Sequence, residues 1–166
     1  MAPKQLALVR HAKSSWADPD IADHDRPLNA RGRRAATLVG RHLREAGLRP
    51  DLVLCSSATR ACQTLEHLDM ATATEVLIED QLYGAAASAL LARVRRVPAA
   101  VRSVLLLGHN PGIEELARML AGDGLAVPEK FPTAAVADLH LPIRTWKELD
   151  SGIGRLCAFV IPRNLG

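Results

Sequence analysis

The sequence predicts an α/β fold: a three-layer α/β/α sandwich around a mostly parallel central sheet, with an antiparallel strand at one edge. Three observations carry that prediction. Short apolar runs recur at residues 6–9, 52–54 and 104–107, with helical stripes between them. Each run stops abruptly in polar residues: Arg10-His11, Ser56-Ser57 and His109-Asn110. Strands that alternate with helices build βαβ units, and their crossovers lay the strands parallel. The last two strands, 134–141 and 155–161, stand close together, so one is expected to run antiparallel at the sheet edge.

The elements follow in order. Residues 5–9 read as a buried strand. A polar, Asp-rich loop runs from 13 to 27, long for a plain connection and so expected to be functional. Asn29 is a candidate N-cap for a helix whose stripe is Ala35, Ala36, Leu38, Val39, His42, Leu43 and Ala46, and Gly47 stops it. Residues 52–55 form a second strand, and Ser57 is placed to cap a helix over 58–67. A short third strand covers 75–78. A helix spans 85–96 before Pro98. The fourth strand, 103–108, is the most apolar. Pro111 fits a first helical position, so Asn110 is expected to cap a helix reaching 121. Val136, Asp138 and His140 alternate with Ala137, Leu139 and Leu141, a strand period.

The bulk numbers exclude several classes. A chain of 166 residues with 48% hydrophobic content is expected to form one domain, 1–166, with a real core. Aromatics are only 3%, too few for base-stacking platforms, and the net charge of +3 is spread thinly. The short basic runs at Arg31, Arg33, Arg34 and at Arg93, Arg95, Arg96 read as solvated helix faces, so no nucleic-acid partner is expected. No window approaches the ~18 uncharged apolar residues of a membrane helix, and the N-terminus runs into a strand too short for a secretory signal. Three cysteines without CxxC or metal spacing fit reduced thiols in the cytoplasm.

The strand ends deliver Arg10, His11, Arg60 and His109 to the carboxyl edge of the sheet, where open α/β sheets bind ligands. A neutral imidazole attacks phosphorus well. Phosphoryl transfer otherwise needs positioning and neutralised oxygens, which guanidinium forks supply. The helix expected after Pro111 adds free N–H groups and a positive dipole end beside His109. The sequence has neither a Walker-type loop nor a His/Asp/Glu cluster at metal spacing, so no metal and no cofactor is expected.

The run Leu8-Val9-Arg10-His11-Ala12-Lys13-Ser14-Ser15-Trp16 resembles the signature of the histidine phosphatase, or phosphoglycerate-mutase-like, superfamily. Four further segments resemble its motifs in order: Arg26-Pro27-Leu28 through Gly32, Ser56 through Thr64, Leu107 through Pro111, and Phe131 through Val136. The last is similar to the short SixA-type phosphohistidine phosphatases. The resemblance implies a phosphoglycerate-mutase-like fold and His11 as the phosphorylated nucleophile. It also implies a phosphate pocket of Arg10, Arg60 and His109. Arg26 is a further pocket candidate or a helix-start ion pair, with Ser14 and Asn110 beside it as substrate-binding candidates. Ala12 stands where glycine is usual, and Ala17 where many relatives carry a phosphate-contacting Asn. Trp16 reads equally as loop anchor or substrate wall, and Thr133 as structural. For the general acid, the position before Tyr83-Gly84 offers Asp80, with Glu79 beside it, or no dedicated acid.

The resemblance implies hydrolysis of phosphohistidine, or of an accessible phosphomonoester, on a monomer or weak dimer. The partner is then a phosphorylated protein or a small phosphorylated metabolite. A small-metabolite phosphatase is the alternative, and an idle phosphoprotein-binding module a more distant one. His24, His42, His67 and His140 read as structural.

Overall fold

The computed structural model describes residues 3–70 and 75–166. Among them the chain alternates β1 (Lys4–Arg10), α1 (Ala30–Glu45), β2 (Leu52–Ser56), α2 (Thr59–Leu68), β3 (Glu75–Glu79), α3 (Ala87–Arg95), β4 (Ser103–Gly108), α4 (Gly112–Leu120), β5 (Ala121–Gly124), β6 (Val136–Leu141) and β7 (Gly154–Val160). The sheet order is β3-β2-β4-β1-β6-β7-β5. The first four of these strands run parallel.

Side-chain alternation along β1 explains the three layers. Leu6 and Leu8 pack in one core with Leu90 of α3 and Leu116 of α4. Ala7 and Val9 pack in the other with Val39 of α1 and Ala61 of α2. Trp146 is fully buried in the first core, its indole N–H donating to the Val101 carbonyl at 2.8 Å.

The expected antiparallel strand is present but lies inside the sheet. β6 runs antiparallel to both β1 and β7. The edge belongs to β5, parallel to β7 and absent from the sequence reading. Its four residues, Ala-Gly-Asp-Gly, have no apolar period. They pair because glycine permits close approach: a Cβ on Gly122 would sit 1.9 Å from the Gly152 carbonyl. From β5 the chain crosses back at the carboxyl edge before entering β6, so β6 has to run downward.

Two helix starts also differ from expectation. Asn29 caps α1 as expected, accepting from the Gly32 N–H at 2.7 Å. At α2 the serine that accepts a backbone N–H is Ser56, from Ala58 at 3.2 Å, rather than Ser57. At α4 Pro111 takes the cap position, and the Asn110 side chain reaches past it to the Glu114 N–H at 3.2 Å.

Candidate active site

The parallel register sets Arg10 of β1 opposite Gly108 of β4. The next residues, His11 and His109, therefore emerge side by side. The His11 N–H donates to the Gly108 carbonyl at 3.0 Å, and the two rings lie 5.0 Å apart, tilted by 53°. Arg60, in the first turn of α2, completes the group from the end of the neighbouring strand.

His11 is buried, and its geometry fixes its tautomer. Nδ1 lies 2.7 Å from the Ala12 carbonyl. A carbonyl only accepts, so Nδ1 carries the proton and Nε2 keeps its lone pair. The Arg60 Nε–H points at that Nε2 from 3.4 Å. Burial is the main influence on the ring's acidity, with the charges of His109, Arg60 and Arg10 adding to it. Against the Ala12 hydrogen bond, they push the His11 pKa down to about 3. His109 is pushed down to about 4, by burial first and the Arg60 charge second. Both imidazoles are neutral at pH 7. His109 is oriented by Ser56, whose Oγ lies 2.8 Å from Nε2.

Arg10 donates to the Phe131 carbonyl at 3.0 Å. The Asn110 amide donates to the same oxygen at 3.1 Å, so Asn110 sits as a brace beside Arg10. Arg26 is buried. It donates to Ser14 Oγ and to Asp23 Oδ1, the latter at 3.0 Å, and its guanidinium lies 3.7 Å from the Trp16 ring centroid. Trp16 is 76% exposed and covers Arg26 from outside. Among the described residues, Arg10 Nε, Arg26 Nε and His109 Nδ1 are buried without a hydrogen-bond partner. All three belong to residues that the sequence assigns to the phosphate pocket, and a buried polar group without a partner calls for an explanation.

Asp80 is exposed at the start of a short turn, Asp80–Leu82, and among the described residues no side-chain hydrogen bond or ion pair joins it to the pocket. Glu79 is held by Arg93 at 2.7 and 3.0 Å. The carboxylate at the pocket is that of Asp23. It pairs with Arg26 and with Arg60, at 3.1 Å, and accepts from the Tyr83 hydroxyl at 2.5 Å. The Tyr83 hydroxyl, then the Arg26 and Arg60 guanidiniums, hold Asp23 far below the usual carboxylate range. The Tyr83 ring stands edge-on to His109 at 5.4 Å and to His24 at 4.9 Å, and His24 Nε2 lies 2.9 Å from Ser57 Oγ. Asp23, His24 and Tyr83 were not among the expected site residues. The available signal was the spacing of Asp23 three residues before Arg26, in a loop already suspected of function.

Residues 6–90 match the family described as the histidine phosphatase superfamily, branch 1. The chain belongs to this superfamily. It is 41% identical over 162 residues to an uncharacterized protein of Mycobacterium tuberculosis, covering 93% of this chain and 100% of the other. Among solved structures it is similar to a SixA protein of Nakamurella multipartitia, provisionally assigned as a phosphohistidine phosphatase, at 33% identity, TM-score 0.85 and 98% coverage of both chains. It is also similar to the protein histidine phosphatase SixA complexed with tungstate, at 25% identity and TM-score 0.74, covering 98% of this chain and 99% of that one. Family and SixA-type neighbours together support phosphatase activity. Ala12, where the superfamily signature usually has glycine, is fully buried in the α1–α2 core, and its N–H donates to Thr64 Oγ1 at 2.9 Å. The loop after His11 thus accommodates a Cβ by turning it into the core.

Proposed function

We propose that the protein hydrolyses phosphohistidine through a phosphoryl-enzyme intermediate on His11 Nε2. The observation that carries this reading is the protonation pattern of His11: Nδ1–H on the Ala12 carbonyl, and an unprotonated Nε2 that accepts from Arg60 Nε at 3.4 Å. The Nε2 lone pair forms the new P–N bond as the P–N bond to the substrate imidazole breaks. Water then attacks the phosphoryl-enzyme, releasing phosphate and restoring neutral His11. Arg10, Arg26 and Arg60 neutralise the phosphoryl oxygens, a job of positioning and charge rather than of metal chemistry.

Phosphohistidine suits the site because its leaving group needs little help. An imidazole with a conjugate-acid pKa near ~6.5 departs with a proton already on its other nitrogen, whereas an alkoxide needs a donor. Among the described residues Asp80 makes no side-chain hydrogen bond or ion pair to a pocket residue, and Glu79 is tied to Arg93, so neither is held in place as one.

A protein-borne phosphohistidine also needs room for its flanking chain. A cavity of about 680 Å³ continues along the carboxyl edge, with Lys13, Arg31, Lys130 and Arg163 around Leu125 and Phe159. Its wall adjoins the site, since Phe131, next to Lys130, accepts from Arg10. Turnover of a phosphohistidine protein beside a panel of sugar and nucleotide monophosphates, with and without EDTA, tests the reading. Preference for the phosphoprotein, unchanged by EDTA, is expected. Equal kcat/KM on glycerol phosphate would move the assignment to a metabolite phosphatase.

A further inference from the structure

We propose that Asp23 is a specificity-determining residue. Its carboxylate occupies the seat of the phosphoryl group, and only an anion that outcompetes it reaches His11. This inference rests on reading Arg26 and Arg60 as part of the phosphoryl pocket.

Three donors converge on this one carboxylate. Arg26 Nη2 donates to Oδ1 at 3.0 Å, Arg60 Nη2 to Oδ2 at 3.1 Å, and the Tyr83 hydroxyl to Oδ2 at 2.5 Å. Arg60 Nη1 donates to the Asp23 backbone carbonyl at 2.8 Å. All three guanidinium nitrogens of Arg60 are then engaged, the third by His11 Nε2. Two cations and a hydroxyl gathered on a bidentate oxygen pair are what a phosphoryl group would require.

The layering gives the order of events. The Asp23 side chain is 51% exposed, while those of Arg26 and Arg60 are 8% exposed. The carboxylate therefore lies on the solvent side of both cations, with the buried His11 ring behind them. A phosphoryl group travelling to Nε2 meets Asp23 before it meets either arginine. Asp23 sits in the short turn Asp23–Asp25 of the polar loop after His11, so admitting a phosphoryl group requires that turn to rearrange and give up the Arg60 bond to its backbone carbonyl.

Charge decides which anions succeed. A singly charged group brings no more than Asp23 already supplies, and Asp23 has the advantage of being tethered. A phosphoryl dianion brings a second charge and a third oxygen to the Arg26 and Arg60 guanidiniums and the Tyr83 hydroxyl, which a carboxylate cannot match. The site is thereby selective for doubly charged groups, at the cost of weaker binding than its arginines alone would give.

The test is calorimetric binding of inorganic phosphate at pH 8 to the wild type, Asp23→Asn and Tyr83→Phe, with Arg60→Ala as the pocket control. Near-ultraviolet circular dichroism reports whether each variant is folded. Asp23→Asn keeps the shape and loses the competing charge, so phosphate should bind roughly tenfold tighter or more, with a matching fall in KM. Tyr83→Phe removes one donor from Asp23 without changing any charge, so it should tighten binding by a smaller factor. If Asp23 instead only orients the arginines, both substitutions weaken phosphate binding, and that result overturns the proposal, as does unchanged affinity in both. Arg60→Ala should lose phosphate binding. Wild-type affinity in Arg60→Ala would overturn the pocket reading itself and this inference with it.

Discussion

A histidine attacks phosphorus only while its ring is neutral, and burial keeps His11 neutral. The consequence is visible in stability as well as in rate. Below about pH 6.5 an unfolded histidine takes up a proton, whereas folded His11 does not until about pH 3. In that window the unfolded state binds more protons, so stability falls as pH falls, by about 1.4 kcal/mol per pH unit for this one group. His11→Gln should flatten the decline in melting temperature between about pH 6.5 and 4. A slope identical to wild type would mean that His11 titrates normally. By the same logic kcat/KM should show no acid limb near pH 6.5, because His11 and His109, at about 3 and about 4, are both neutral there. A pH-rate profile checks this directly. Arg10, His11, Arg60 and His109 were legible in the sequence because each follows closely on an apolar strand. Asp23, His24 and Tyr83 were not. Short turns place them, with no period to read, and Asp23 meets partners 37 and 60 positions away.

At the scale of elements, the site depends on how α1 docks against the segment after His11. The Asn29 N–H donates to the Lys13 carbonyl at 3.0 Å. A Cβ on Gly32 would lie 2.1 Å from that same carbonyl oxygen, so only glycine permits the approach. Gly32→Ala should push α1 away from the loop and cost about 2 kcal/mol or more. Chemical denaturation measures the loss, and a change below about 0.5 kcal/mol would show that the contact yields easily. The strands around the site were readable because buried parallel strands are continuous apolar runs. β5 was not, since backbone proximity at Gly122 rather than side-chain pattern creates it. Missing β5 put the antiparallel strand at the edge, whereas β6 is flanked by β1 and β7. The acid position before Tyr83-Gly84, open between Asp80, Glu79 and no dedicated acid, was hard to read for a related reason. Tyr83, just after the Asp80–Leu82 turn, stands beside His109, whereas the Asp80 side chain is exposed and, among the described residues, makes no hydrogen bond or ion pair to the pocket.

Across the whole molecule, the carboxyl edge of the sheet gathers two features: the proposed phosphoryl pocket over β2, β4 and β1, and a cation-rimmed cavity over β1 and β7. If the cavity receives the chain around a phosphohistidine, Lys130→Glu with Arg163→Glu should raise KM for a phosphohistidine protein roughly tenfold. The same pair should leave turnover of phosphoramidate unchanged. Equal effects on both substrates would remove the cavity from substrate recognition. Among the described residues no helix is long and apolar enough to cross a membrane, and no group of three His, Cys, Asp or Glu is arranged to hold a metal. The proposed reaction turns on one bond, between phosphorus and His11 Nε2. Rapid acid-free quenching after mixing with a ³²P-phosphohistidine protein, followed by mapping of the labelled peptide, measures it. The expected result is an acid-labile, alkali-stable label on His11, absent in His11→Ala with the fold retained. A label on another residue, or undiminished turnover by His11→Ala, would contradict it.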